Sequence, residues 1–96
     1  IGRAGLENRE YEDGVELEMG YVIDPRWQRR GIAYEVCSAI MEYARESTDF
    51  PRLNALTEAD NVASIALLEK LGFTYLEDTD VSGSRTRRYV YDFDRT

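Results

Sequence analysis

The hydrophobic pattern of the chain changes its period at Gly31, and this change limits the fold more than any other feature. Before Gly31, residues 1–9 and 15–23 read as strands, and the Glu12-Asp13-Gly14 segment between them is typical of a tight hairpin. After it, apolar side chains recur at every fourth residue from Ile32 to Ala44, on one face of a helix of about four turns. The pattern therefore predicts an antiparallel hairpin followed by an amphipathic helix.

The rest of the chain continues to alternate between strands and helices. In order, the predicted segments are a strand at 53–57, a helix at 61–72, a strand at 74–80 and a strand at 85–93. Asn61 is the expected N-cap of this second helix, and a left-handed Gly72 is expected to end it, with Phe73 packing on Leu68. Strands joined through a helix run parallel and hairpin strands antiparallel. The order β-β-α-β-α-β-β thus predicts a mixed α/β sheet with flanking helices.

Composition places this sheet in one domain and excludes several classes of function. Residues 1–96 form a single domain, and since Ile1 already lies in a strand-like run, we expect further chain upstream. The net charge of −7 argues against non-specific nucleic-acid binding. With one cysteine, Cys37, and no histidine, neither a disulfide framework nor a metal site is expected. No run is long and apolar enough for a membrane span, so a reducing, cytoplasmic location is predicted.

The segment Gln28-Arg29-Arg30-Gly31-Ile32-Ala33 joins the second strand to the first helix. A helix start presents unpaired backbone N–H groups and a partial positive charge, and a glycine there lets a pyrophosphate approach the backbone. Arg26 adds to the local positive charge, although three arginines can equally be a solvated loop. The Gly-Lys-Ser/Thr of a P-loop and the Gly-x-Gly-x-x-Gly of a dinucleotide fold are missing, so neither type of nucleotide site is favoured.

Two segments together resemble the GNAT superfamily of N-acetyltransferases. Gln-x-x-Gly-x-Ala after the strand that ends at Pro25 resembles the coenzyme A motif of that family. Asn61-Val62-Ala63-Ser64, followed by Leu71-Gly72-Phe73, resembles its second signature. The RimJ/RimL type, which acetylates protein N-terminal amines and small amines, is the most similar branch. The resemblance implies the GNAT fold, C-terminal portion, with the first strands and helices of the domain lying upstream.

The resemblance also implies a cofactor, acetyl-CoA, and a set of residues that bind it. The backbone amides of residues 29–33 would hold the pyrophosphate, and the pantetheine would lie along residues 21–23 where that strand and the 53–57 strand splay apart. A backbone N–H near Val22 would polarise the acetyl carbonyl. The implied cofactor-binding residues are Tyr21, Val22, Ile23, Gln28, Arg29, Arg30, Gly31, Ile32, Ala33, Asn61 and Ser64.

Two residues are implied to carry the proton transfers of the reaction. Glu18 is the first candidate for the base that neutralises the amine, and Glu58 is the second. The alternative for Glu18 is a solvated strand face, because Glu16 and Glu18 alternate with apolar neighbours. Many members of the family carry a proton-donating tyrosine where this chain has Leu68, and RimJ/RimL-like members use the serine of Asn-x-x-Ser instead. Ser64 is therefore the candidate acid, with helix capping as its alternative role.

The sequence leaves two functions open. The first is an N-acetyltransferase that moves the acetyl group to a primary amine by direct attack in a ternary complex. The second is a module of the same fold that binds acetyl-CoA without turning it over. In either case the expected partners are acetyl-CoA and, for the enzyme, an amine acceptor, with no nucleic acid or membrane. A strand at 1–9 with an exposed edge also raises the prospect of a homodimer.

Overall fold

The computed structural model describes residues 2–12, 14–23, 31–81 and 83–94, with backbone alone at 2–4 and 21–23. The elements are β1 (Gly2–Tyr11), β2 (Gly14–Ile23), α1 (Ile32–Ser47), β3 (Arg52–Glu58), α2 (Val62–Leu71), β4 (Thr74–Val81) and β5 (Ser84–Asp92). The predicted order is confirmed, and each predicted boundary lies within a residue or two of the observed one. No helix among the described residues is long and apolar enough to cross a bilayer.

All five strands form one mixed sheet in the order β1-β2-β3-β5-β4. The hairpin strands β1 and β2 pair antiparallel from Gly2 opposite Ile23 to Tyr11 opposite Gly14. The strands that α1 connects, β2 and β3, run parallel, as expected for a crossover through a helix. After α2 the chain passes beyond β3, and β5 then returns antiparallel between β3 and β4. The parallel pair β2–β3 therefore joins the antiparallel hairpin β1–β2 to the antiparallel set β3-β5-β4.

The parallel pairing between β2 and β3 is short. Along the described strands, Leu17 lies opposite Leu53 and Glu18 opposite Asn54, and no further residues are partnered. Both strands continue past this point, β2 to Ile23 and β3 to Glu58, so they diverge toward their carboxyl ends. The divergence opens a gap, the seam, between residues 19–23 of β2 and residues 55–58 of β3.

The core lies on one face of the sheet, beneath both helices. It contains Leu17, Met19, Leu53, Ala55, Tyr89 and Phe93 from the strands and their ends, and Cys37, Ala44, Leu68 and Leu71 from the helices. Cys37 is fully buried, and burial raises the pKa of its thiol to about 11, so the sulfur stays protonated at neutral pH. Cys37 is thus a packed core thiol. The opposite face of the sheet carries the alternate residues of each strand and has no helix of the described chain on it.

The end of α2 is fixed by a Schellman motif at Gly72. Gly72 has φ 99°, its N–H donates to the carbonyl of Glu69 at 3.0 Å, and the N–H of Phe73 donates to that of Leu68 at 2.9 Å. Leu68 and Phe73 are both buried in the core cluster, as the sequence predicts. A Cβ built on Gly72 would stand 3.1 Å from a ring carbon of Tyr91, which gives a second reason for glycine there. The motif turns the chain directly into β4.

Candidate active site

The first part of the candidate site is the start of α1. Gly31 is the N-cap of this 16-residue helix, with φ 75° and ψ 0°, and no side chain of the described residues caps it. The N–H of Glu35 donates to the carbonyl of Gly31 at 3.0 Å, so the N–H groups of the first turn before Glu35 have no partner within the helix. A Cβ built on Gly31 would meet no atom within 4 Å. None of the described side chains therefore covers the helix start, and its amides suit an anion.

The predicted cofactor-binding residues divide into those that the structure describes and those that it does not. Gln28, Arg29 and Arg30, together with Arg26, lie outside the described residues. Ile32 and Ala33 form the first turn of α1. The backbone of Tyr21, Val22 and Ile23 continues β2 beyond its last pair with β3, along the seam. Their proposed contacts with a cofactor remain predictions.

The second part is the start of α2, which follows the carboxyl end of β3. Asn61 is the N-cap, and its side-chain oxygen accepts a hydrogen bond from the backbone N–H of Ser64 at 3.1 Å. The predicted cap is confirmed. Ser64 is half-buried at the third helical position, and its cap bond uses the main chain rather than the hydroxyl. Asn61 and Ser64 therefore stand together at the helix start, next to the end of the strand that borders the seam.

Glu18 lies on the sheet face that faces away from the helices, yet it is 5% exposed. Its Oε1 forms an ion pair with Nε of Arg9 and accepts a hydrogen bond from the hydroxyl of Tyr11 at 3.1 Å. The alternative of a solvated strand face is wrong for this residue, because β1 folds charged and polar side chains over it. Glu58, the second candidate for the base, is exposed at the end of β3.

The Tyr11 hydroxyl donates a hydrogen bond to Glu18 and keeps its own proton. Burial raises the pKa of Tyr11 far above its ordinary value of 10, and the adjacent Glu18 carboxylate raises it further. At neutral pH the phenol therefore stays protonated. The hydrogen bond between the two residues is consequently a stable donor–acceptor pair.

Sequence reasoning missed a buried ionic network beside Glu18. Arg88 of β5 is 2% exposed, and its guanidinium donates to Oδ1 of Asn54 at 2.9 Å, to Glu16 at 2.9 Å and to Glu77 at 2.8 Å. Glu16 also accepts two hydrogen bonds from Arg52, both at 2.7 Å, in a bidentate pair. The one sequence signal for this cluster was the alternation of polar residues in β2, β3 and β5, which ordinarily indicates a solvated face.

The network keeps Glu16 ionised. The hydrogen bonds from Arg52 lower the pKa of Glu16 to about 2, against the effect of burial and with help from the Asn54 amide. Two guanidinium groups and one carboxylate thus share the space beside Glu18. Because Asn54 bonds both Glu16 and Arg88 and lies opposite Glu18 in the parallel ladder, the network also holds the last paired position before the seam.

The sheet face without helices bears a cavity of about 560 Å³, and small-molecule sites are roughly 300 to 1,000 Å³ in volume. The cavity lies between the end of β1 and β4, and its lining includes Arg9, Tyr11, Leu56, Glu77, Asp80 and Arg88. The two partners of Glu18 therefore border a space open to solvent. Within residues 2–12, 14–23, 31–81 and 83–94, no three acidic or cysteine side chains are arranged to hold a metal ion.

The chain belongs to the acetyltransferase (GNAT) domain family, whose sequence model matches residues 1–74. Among its relatives, it is 31% identical over 75 residues to the uncharacterized protein YkkB of Bacillus subtilis (strain 168), a match that covers 78% of this chain and 44% of YkkB. The structure superposes on a putative GnaT-family acetyltransferase from Bordetella pertussis with a TM-score of 0.78 and 27% identity, over 93% of this chain and 56% of that one.

The fold is also similar to that of RimL, a ribosomal alpha-N-protein acetyltransferase whose structure is a complex with coenzyme A. The TM-score is 0.70 at 24% identity, over 82% of this chain and 48% of RimL, and at that identity the likeness is one of fold. The chain spans about half the length of the proteins that it matches. The GNAT fold predicted from the two sequence segments is confirmed.

Proposed function

We propose that the protein is an acetyl-CoA-dependent N-acetyltransferase that moves the acetyl group to a primary amine by direct attack in a ternary complex. The observation that carries the proposal is the divergence of β2 from β3 after Glu18 and Asn54, beside a helix that opens at Gly31. An open seam between parallel strands leaves backbone groups available to an extended, amide-bearing arm, and a helix start suits its pyrophosphate. The RimL complex, which has the same fold and contains coenzyme A, supports this choice of cofactor.

Acetyl-CoA supplies a thioester carbonyl, and the residues around the seam orient it. The amides of residues 29–33 are proposed to bind the pyrophosphate. The β2 backbone at residues 21–23 is proposed to run beside the pantetheine, with Asn61 across the seam. An N–H near Val22 polarises the carbonyl oxygen as it gains negative charge. These roles rest on family membership and on the position of each residue along the seam.

Two protons move in the proposed reaction. Glu18 accepts one from the ammonium group of the acceptor, which frees the nitrogen lone pair for attack. As the new N–C bond forms and the C–S bond breaks, Ser64 donates a proton to the leaving thiolate and takes up the second proton that the nitrogen loses, so the products are a neutral amide and the coenzyme A thiol. Glu58 is the alternative base. The acceptor is proposed to be a protein N-terminal amine or a small amine, as in the RimJ/RimL branch, and the name of RimL supports the former.

Calorimetric titration with acetyl-CoA, followed by detection of free thiol in the presence of primary amines, tests this function. We expect saturable binding with one site per chain, and thiol release that requires an added amine. Binding without thiol release for any peptide N-terminus or small amine would favour the second candidate, a non-catalytic acetyl-CoA-binding module. The absence of binding would contradict both.

Gly31→Glu is the sharpest variant for the cofactor site. It places a carboxylate at the proposed pyrophosphate position. We expect the affinity for acetyl-CoA to fall by about a hundredfold or more, because of steric block and like-charge repulsion. Gly83→Glu is the matched control, because Gly83 has φ 81° in the β4–β5 turn and its Cβ position is equally open. The two variants introduce the same charge and similar backbone strain. Equal affinities for the two would show that the α1 start does not bind the cofactor.

A further inference from the structure

We propose that Tyr11 and Arg9 are positioning residues that fix the Glu18 carboxylate for its role as base. This inference rests on the proposed function. Both residues reach Glu18 from β1, and both contact the same oxygen, Oε1, through the Tyr11 hydroxyl at 3.1 Å and the Arg9 guanidinium. Among the hydrogen bonds of the described residues, none reaches Oε2 of Glu18, so one oxygen is anchored and the other is the one that the proposal assigns to a substrate or a water.

The ring of Tyr11 is itself held in place by a residue of β5 on the same face of the sheet. It lies on the guanidinium of Arg88, whose central carbon is 3.9 Å from the ring centroid. Arg88 in turn donates hydrogen bonds to Glu16 of β2, Asn54 of β3 and Glu77 of β4. A cation with three fixed acceptors does not change rotamer readily, because each move would leave a buried charge unpaired. Arg88 of β5 therefore fixes the Tyr11 ring, and the ring fixes the position of the hydroxyl that donates to Glu18.

Several charged and polar groups surround Glu18. Glu7 lies directly opposite Glu18 in the β1–β2 ladder, and Glu16 lies two residues away on its own strand. On β3, the neutral Asn54 lies opposite Glu18. Arg52 and Arg88 are engaged by Glu16. The groups that face Glu18 from the surrounding strands are thus Glu7, Arg9, Tyr11, Glu16, Arg52, Asn54 and Arg88.

Tyr11→Phe tests the proposal because it keeps the ring on Arg88 and removes only the hydroxyl. A hydrogen bond to a carboxylate stabilises the charged form, so its loss should move the acidic limb of the kcat/KM profile to higher pH by about one unit, about tenfold in proton concentration. Arg9→Gln should move it in the same direction. Tyr75→Phe is the matched control, since it removes a similar bond, from the Tyr75 hydroxyl to Asp78 at 2.7 Å, on exposed β4. Its profile should superimpose on that of the wild type.

A titration of the Glu18 side-chain carboxyl by carbon-13 NMR, assigned with Glu18→Gln, separates this inference from the proposed function. An upward shift of the titration midpoint in Tyr11→Phe, matched by the shift of the rate profile, supports the proposal. A wild-type rate profile in Tyr11→Phe, with Glu18→Gln inactive, overturns the positioning role and leaves the enzyme intact. Full activity of Glu18→Gln would instead refute Glu18 as base, and with it this inference, while leaving acetyl transfer standing.

Discussion

Glu16 lies between two guanidinium groups, and its ionisation links the stability of the sheet to pH. A glutamate has an ordinary pKa of 4.5, and in the fold the hydrogen bonds from Arg52 are the main cause that lowers the pKa of Glu16 to about 2. The folded state therefore binds this proton less readily than the unfolded chain does. The resulting stabilisation is complete above about pH 4.5 and is lost as the pH falls toward 2.

Glu16→Gln should remove this component of stability. At pH 7 we expect a loss on the order of 2 to 3 kcal/mol in the free energy of unfolding, because Arg52 and Arg88 lose their shared counter-charge. Denaturant titrations at several pH values between 7 and 3 should show a shallower acid dependence for the variant than for the wild type. Glu69→Gln, at an exposed position of α2, is the control. An unchanged acid dependence in Glu16→Gln would contradict the assignment.

The two ends of α2 show which parts of an element can be predicted from local sequence. The Asn61 cap and the Gly72 stop depend on residues within one or two turns, so the pattern predicts them and the structure confirms them. The face of β2 that carries Glu16 and Glu18 was predicted less well. Alternation indicates which residues share a face, and whether that face is wet depends on strands far away in the sequence.

The start of α2 separates a structural role from the proposed chemical one. Asn61→Ala removes the side-chain acceptor of the cap and should cost about 1 kcal/mol of stability. Ser64→Ala keeps that bond, because the donor is the backbone N–H, so the contribution of the cap to stability should be retained. If Ser64 protonates the leaving thiolate, Ser64→Ala should nevertheless lower kcat by about tenfold or more with little change in acetyl-CoA affinity. Unchanged turnover would remove Ser64 from the mechanism.

At the scale of the whole molecule, the element order was predictable and the sheet order was not. The order of the strands depends on contacts between residues far apart in the chain. One of them joins Glu16 of β2 to Arg88 of β5 across β3, 72 residues away, and a single sequence contains no local signal for it. The same holds for the candidate site. Gly31, Asn61 and Ser64 are found from motifs, whereas Tyr11, Arg9 and Arg88 surround Glu18 only because β1 and β5 flank the central pair. Local motifs thus define the proposed cofactor side, and long-range pairing defines the surroundings of the proposed base.

The seam between β2 and β3 gives a last prediction that involves the whole sheet. Amides that point into the seam from residues 19–23 and 55–58 lack a partner on the facing strand. If an extended arm of acetyl-CoA occupies the seam, their hydrogen exchange should slow. At a ligand concentration of 100 times Kd, exchange that requires ligand release slows by about a hundredfold.

Hydrogen–deuterium exchange with mass spectrometry, with and without acetyl-CoA, measures this effect. Peptides from β4 and β5 serve as the internal reference, because these strands pair with each other on both sides of an irregularity at Leu76 and do not border the seam. Gly31→Glu is the control protein, and it should show no ligand-dependent protection. Protection spread evenly over all strands would mean that acetyl-CoA stabilises the fold without entering the seam. In that case the divergence of β2 from β3 would be a feature of the sheet alone, and the cofactor would have to be sought elsewhere on its surface.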